Sequence, residues 1–318
     1  MEAFIVMNSI KKSCLVSLFL VFSLPLFALE GTIGKHNLIL LGDYLGNEGH
    51  IYGTSVIGGD VHGNLEVGSR LDRANGYDEQ VDAIVVLGDI NSSQIRVLQN
   101  HALVYGGELN ASIDSHTSRR VASQQDITYA NSVFDEVRAD ASFLSSLQST
   151  GSFSDGTFTN HGDGRLAVFN VNASDINVQN QDLKLLKGLA DTIVINVSGD
   201  DVQFGGNRNG NSGFDLETAP NIVWNFHEAT NVNFNNYSPA GSIIAPYAHI
   251  NGGDFDGAVA ARSYGGNRQF HYYLFEGASA LPSPGDTIAT AVNAPSTFGL
   301  MAFLVFAFLM RKHGEFQR

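Results

Sequence analysis

The 318-residue sequence holds a single cysteine, Cys14. No disulfide can form within the chain, so its folded body must be held together by core burial alone. Basic residues are scarce, 18 Lys and Arg against 32 Asp and Glu, for a formal net charge of −14. Setting aside Lys11, Lys12 and Glu2 at one end and Arg311, Lys312, Arg318 and Glu315 at the other leaves 13 basic against 30 acidic residues, a body of −17. That charge repels nucleic acid and anionic surfaces, so no nucleic-acid partner is expected. Reactive signatures are missing too. The sequence has no His-Glu-x-x-His pair, no Gly-x-Ser-x-Gly elbow and no EF-hand or nonapeptide calcium spacing. The glycine-rich run Gly205–Gly213 lacks the Lys-Ser/Thr of a phosphate loop and reads as a surface loop. No catalytic residue and no cofactor-binding residue stands out, and the chain reads as a non-enzyme. Regular Thr-x-Thr ladders, which an ice- or crystal-binding surface would need, are absent as well.

The two ends are more explicit. Lys11 and Lys12 precede the apolar run Cys14–Ala28. Charge, short apolar core and small residue in that order make a secretory signal, too short for a permanent anchor. Cleavage by signal peptidase is expected between Ala28 and Leu29, and translation is compatible with a start at Met1 or Met7. At the other end a small, Pro-containing linker, 278–295, leads to Pro295-Ser296-Thr297, the apolar run Phe298–Met310 and the basic Arg311-Lys312-His313. Thirteen residues make a helix of about 20 Å, short for a hydrocarbon core of about 30 Å. Residues 298–310 are expected to contact the membrane with the basic tail on the cytoplasmic side. The chain thus divides into 1–28, a body over 29–277, the linker 278–295 and a tail over 296–318.

Within the body, apolar runs of four to six residues alternate with Gly, Asn and Asp. Examples are Asn37–Leu41, Ala83–Leu87, Leu166–Val171, Thr192–Val197 and Gly241–Ala245. Runs of this length fit strands buried on both faces or the inner side of a solenoid coil. A weak repeat supports the second reading. Leu41-Gly-Asp43 followed by Gly58-Gly-Asp60 returns as Leu87-Gly-Asp89 followed by Gly106-Gly-Glu108, about 46 residues on. The expected fold is mainly β, a parallel β-solenoid, with a β-sandwich as the alternative. One segment departs from this pattern. Ile127, Ala130, Phe134, Val137, Ala141, Leu144 and Leu147 recur at steps of three and four, predicting a helix over Gln125–Gln148 with Ser123 and Asp126 at its cap. It should flank the solenoid with one buried face. Leu183–Leu189 reads as a further turn or two of helix.

The acidic residues beside glycine, Asp43, Asp60, Asp89, Asp200, Asp201, Asp254 and Asp256, read first as turn chemistry. If calcium binds anywhere, Asp254 and Asp256 in Asn251–Asp256 are the candidates. The histidines at 36, 50, 62, 101, 116, 161, 227, 249 and 271 form no close-spaced metal set. His271 reads as a residue packed at the edge of the core. Tyr237, Tyr247, Tyr264, Tyr272 and Tyr273 could stack on sugars, whereas Trp224 lies in an apolar strand and belongs to the core.

In order, Leu38–Asp43 with Val56–Asp60, Val86–Asp89, Phe143–Leu147, Ile193–Gly199, Ile222–Phe226, Gly241–Pro246 and Gly257–Ala261 leading to His271 and Phe275 resemble the choice-of-anchor A family of bacterial surface modules, over residues 37 to 277. The tail is similar to PEP-CTERM sorting signals, with Asn293–Thr297 where Pro-Glu-Pro is usual. The resemblance implies an adhesin-like or matrix-associated role and processing by an exosortase-type enzyme. Localisation is then the envelope, surface or extracellular matrix of a Gram-negative bacterium. Two functional readings follow. One is an adhesin that binds an extracellular polymer, above all a polysaccharide. The other is a polysaccharide-cleaving enzyme on a β-helix, which would show clustered carboxylates and an Arg in a concave groove.

Overall fold

The computed structural model describes residues 28–282 other than 179–180, 206–210 and 236. The apolar core of the leader, Pro295–Thr297 and the apolar run 298–310 lie outside the described residues.

The chain winds as a spiral of short strands. β1 (Leu38–Leu40), β2 (Glu48–Ile51), β3 (Ser55–Ile57), β4 (Asn64–Val67), β5 (Asp82–Val86), β6 (Gln94–Val97), β7 (Ala102–Tyr105), β8 (Ser112–Ile113) and β9 (Ser118–Val121) alternate between two sheets. α1 (Gln124–Ser145) then carries the chain back along the outside, about 33 Å for 22 residues. The hairpin β10 (Gly151–Ser154) and β11 (Thr157–Asn160) follows. The second half comprises β12 (Leu166–Asn172), α2 (Ala173–Ile176), β13 (Leu183–Leu186), β14 (Thr192–Ser198), β15 (Asp201–Gln203), β16 (Asn211–Ser212), β17 (Ile222–Asn225), β18 (Asn231–Asn233), β19 (Ser242–Asn251), β20 (Phe255–Asp256), β21 (Val259–Tyr264) and β22 (Gln269–His271).

The principal sheet runs β12-β14-β17-β19-β21-β1-β3-β5-β7-β9, all parallel. The chain therefore starts in the middle of its own solenoid, winds outward, crosses back along α1 and returns to close the stack. The closing seam pairs Leu38, Ile39 and Leu40 with Val259, Ala260 and Ala261. Asn37, fully buried, bolts it: its Nδ2 donates to the carbonyls of Gly257 and His271 at 3.1 Å, and its Oδ1 accepts the Gly53 N–H at 2.9 Å. The expected β-solenoid with a long flanking helix is what forms.

Apart from its exposed edge strand β9, the principal sheet is largely buried on both faces. Leu38, Leu40, Ile57, Ile84 and Val86 point into the coil interior with Leu65, Val67 and Ile95. Ile39, Val56, Val168, Val194, Val223 and Ile244 point outward against Ala130, Val133, Phe134, Val137, Ala141 and Leu144 of α1. Each buried side chain of this size contributes roughly 1.5–3 kcal/mol. Ser123 and Asp126 form a capping box. Arg120 reaches from β9 to Asp126 at 2.6 Å and Asp82 at 2.7 Å, pinning the helix start to the sheet. That guanidinium, with Ser123, holds the Asp126 carboxyl well below the usual range. The other end of α1 is held by a ladder of asparagines in register on adjacent strands, Asn170, Asn196 and Asn225. Their Nδ2 groups donate to the carbonyls of Leu147, Leu144 and Ala141 and link Asn225 to Asn196 and Asn196 to Asn170.

Three expectations differ from the structure. Leu183–Leu189 is no helix: Leu183 and Leu185 point inward and Lys184 and Leu186 outward along β13, a period of two that pairing with β11 selects. The repeat is also shorter than 46 residues. The four acidic residues occupy successive coils, each with its backbone N–H bonded to the preceding one: Asp60 N–H to Asp43 Oδ1, Asp89 to Asp60 and Glu108 to Asp89, at 2.9, 2.8 and 2.7 Å. A Cβ on Gly59, Gly88 or Gly107 would collide with the carboxylate of the coil before. The Gly-Asp signature is an inter-coil ladder, and each 46-residue copy contains two coils. Finally, Gly277–Ala280 fold as a 3-10 turn with Ala278 and Leu281 buried against the α1 cluster, so the segment expected to be linker begins folded onto the body.

Candidate functional site

The outer face of the second sheet, β20-β22-β2-β4-β6-β8, is open and polar. Alternation puts Ile51, Leu65, Val67, Ile95 and Val97 inside and Glu48, His50, Asn64, Glu66, Gln94 and Arg96 outside. Gln269, His50, Glu66 and Arg96 stand in register across four strands. Arg96 pairs with Glu66 at 2.5 Å, and His50 approaches the same carboxylate at 3.4 Å. Six strands at ~4.8 Å make a face about 25 Å wide.

At one corner this face becomes concave. Ser55 and Ile84 are neighbours in adjacent coils but 29 residues apart in the chain, against 17 from Leu38 to Ser55 and 19 from Ile84 to Leu103. The surplus forms a corner loop between β4 and β5. Asp72 caps its short 3-10 turn, Arg73–Asn75, and Gly76 at φ 84° ends it. Three recesses flank this loop. One, of about 650 Å³, is lined by Tyr52, Arg70, Asn75, Leu216, Asp256, His271, Tyr272 and Tyr273. His271 Nδ1 bonds Asp256 Oδ1 at 2.6 Å and its Nε2 faces Gln269 Oε1 at 3.1 Å. Tyr52 donates to Gln269 Oε1 at 2.9 Å and meets the His271 ring edge-on at 5.1 Å. Across the loop, the Tyr272 and Tyr77 hydroxyls are 2.9 Å apart. Burial, and then the Tyr77 hydroxyl, push the Tyr272 phenol upward, so it stays neutral. The cleft is lined by one carboxylate, already engaged by His271, whereas glycoside hydrolysis commonly uses two.

A smaller recess of about 310 Å³ lies on the loop's other side, between it and the start of α1. His36 there bonds Thr54 Oγ1 at 2.8 Å and the Tyr129 hydroxyl at 2.7 Å. Burial, then Lys35, lowers its imidazole to about 3, keeping it neutral.

The calcium candidates lie at this corner. Asp254 accepts the Gln269 N–H at 3.1 Å and faces Arg268 at 3.7 Å, while Asp256 holds His271. Among the described residues, no group of three His, Cys, Asp or Glu could hold a metal. Of the candidate tyrosines, Tyr237 and Tyr264 are interior, Tyr247 is exposed elsewhere, and Tyr272 and Tyr273 line the cleft. Tyr52 and Arg70 join them with no local sequence signal, since they sit over 200 residues from His271 and reach it through the seam. Trp224 is fully buried, its Nε1 donating to the Ala240 carbonyl at 3.0 Å. The Thr-x-Thr at Thr157–Thr159 stands alone: its register neighbours are Ser154 and Ser152 on one side and Lys184 and Leu186 on the other. No described helix is long and apolar enough to cross a membrane.

The family model described as "Putative Ice-binding-like adhesive domain" matches residues 29–272. No curated protein matches the chain. Among solved structures, it is similar to the ice-binding protein of the Antarctic ascomycete Antarctomyces psychrotrophicus, at 12% identity and TM-score 0.26, covering 72% of this chain and 92% of that one. It is also similar to an ice-binding protein from an Antarctic biological consortium, at 12% identity and TM-score 0.27, covering 84% and 93%.

Proposed function

The chain belongs to the ice-binding-like adhesive domain family, and we propose that it is an exported cell-surface or matrix adhesin that holds an extracellular polysaccharide on its open polar sheet. The observation that carries this reading is the face itself: about 25 Å of in-register polar side chains ending in a cleft walled by Tyr52, Tyr272 and Tyr273. Flat polar rows offer repeated hydrogen bonds to a repeating polymer, and tyrosines offer area with a polar tip. The isolated Thr157–Thr159 pair gives ice no comparable lattice. The cleaving-enzyme alternative lacks a second carboxylate in the cleft.

On this reading signal peptidase acts between Ala28 and Leu29, and an exosortase-type enzyme of a Gram-negative envelope recognises Pro295–Thr297 and the run 298–310. Choice-of-anchor A membership and the PEP-CTERM-like tail belong to the same proposal. Native gels containing soluble polysaccharides test the central part. The full chain is expected to be retarded by at least one of them, and co-migration with a non-binding standard in every gel would contradict it. Release of shortened sugars during the assay would favour the enzyme instead.

A further inference from the structure

We propose that the corner cleft is a subsite for a neutral pyranose unit, with Tyr272 as its stacking platform and Arg70 and Asp256 as opposed hydrogen-bonding walls; this rests on the polysaccharide reading above. The largest interior aromatics, Trp224, Phe158, Phe204 and Phe226 among them, are fully buried. Tyr52, Tyr272 and Tyr273, by contrast, stay partly exposed and converge on one recess. The cleft's volume, about 650 Å³, falls in the range of small-ligand sites.

Its walls carry both senses of hydrogen bond. Arg70 makes no ion pair among the described residues, so its guanidinium donors face the recess unspent. Asp256 commits Oδ1 to His271, leaving a second carboxylate oxygen as acceptor. Asn75 gives its Nδ2 to the Arg70 carbonyl and Asp72, leaving its own carbonyl oxygen. Sugar hydroxyls donate and accept, and match such a set. A uronate would meet Asp256 inside the cleft and a −17 body outside it, which selects the neutral class.

The platform is held in advance of binding. The Tyr272 ring lies against Gly53, where a Cβ would come within 2.8 Å of it. Its hydroxyl is tied to Tyr77 at 2.9 Å. Tyr77 is a positioning residue, since it fixes the platform through that hydroxyl. A ring already fixed costs less entropy to use.

Native gels cast with laminarin, hydroxyethylcellulose, galactomannan or polygalacturonate test the assignment on the full chain. At least one neutral polymer should retard the wild type, and polygalacturonate should not. Tyr272→Ala should weaken binding by about tenfold, the equivalent of ~1.4 kcal/mol. Tyr272→Phe and Tyr77→Phe each remove the one hydrogen bond between the two hydroxyls, so both should weaken binding to a similar extent and by less than Tyr272→Ala. Arg138→Ala, exposed on α1 and absent from the cleft lining, should bind as the wild type. Unchanged melting curves certify each fold. Retention that survives both Tyr272→Ala and Arg70→Ala overturns the cleft assignment and leaves the adhesin reading standing. Retention by polygalacturonate alone, lost in Arg70→Ala, overturns the neutral class. Retention by no polymer overturns this inference together with the reading it rests on.

Discussion

The two halves of the solenoid use one winding rule and fill it differently. From β1 to β9 the interior is aliphatic apart from Tyr44, which meets Tyr264 across the seam, with Leu38, Leu40, Ile57, Leu65, Ile84, Ile95 and Leu103 stacked in tight coils. From β11 to β22 aromatic rings join the aliphatic residues, with Phe158 against Phe169, Phe214 and Trp224, Phe204 stacked on Phe234 and Tyr237, and Phe255 on Phe270. The halves also place surplus residues in opposite directions. In the second, the segment around Phe204 and Phe214 turns its rings into the coil. In the first, the loop after β4 stays outside, built on Asp72 and Gly76, and shapes the corner cleft. The cleft lies where the halves meet, with Tyr52, Arg70 and Asn75 from the aliphatic half and Leu216, Asp256, His271, Tyr272 and Tyr273 from the aromatic one.

The sharpest test of that contrast is truncation of each core. Trp224→Ala should cost about 3–5 kcal/mol, at or above the cost of Ile95→Ala, about 2–4 kcal/mol. Both are read from denaturant midpoints, and the reverse order would break the comparison. The seam comes next. Asn37→Ala removes the Asn37 bond to the Gly257 carbonyl and the Gly53 N–H, while the His271 carbonyl keeps the Tyr273 N–H, and should cost about 3 kcal/mol. Its loss should speed hydrogen exchange in β1 and β21 before it does so in β14.

The helix that straps the halves together carries a pH dependence. Asp140 is buried on α1 and accepts a hydrogen bond from Thr32 Oγ1 at 2.9 Å. Burial pushes its carboxyl up to about 7. A raised carboxyl favours the protonated fold, so its stabilisation is complete below about pH 4 and disappears as pH rises through about 7. Asp140→Asn should flatten the stability profile between those values and raise the melting temperature at pH 8. An unchanged profile would show that Asp140 is solvated. The smallest expected effect belongs to the Gly-Asp ladder of the first half: Asp60→Ala should cost about 1 kcal/mol, one inter-coil hydrogen bond.

What could be read directly from the residues was local. The helix, its Ser123–Asp126 cap, the five buried strands and the interior position of Trp224 all follow from neighbours in sequence. The coil period was hidden because the corner loop stretches one coil to 29 residues, leaving only every second coil similarly spaced. Leu183–Leu189 carries apolar positions compatible with both a three-to-four and a two-residue period, and pairing with β11 decides between them. The asparagine ladder was visible as Phe-Asn-Val, Ile-Asn-Val and Trp-Asn-Phe, a polar residue recurring inside apolar strands. Its purpose, to hold the end of α1, required the helix to be placed. The cleft was least legible, since Arg70 and Tyr52 meet Asp256, His271 and Tyr272 only through the seam.

If polymer is held in the cleft beside the corner loop, excision of that loop should abolish retention. Replacing residues 72–80 by a two-residue turn would bring the coil close to the length of its neighbours while sparing the buried Leu71. The shortened protein should melt cooperatively with its solenoid intact and lose retardation in neutral-polysaccharide gels. Retardation equal to that of the full chain would contradict the account.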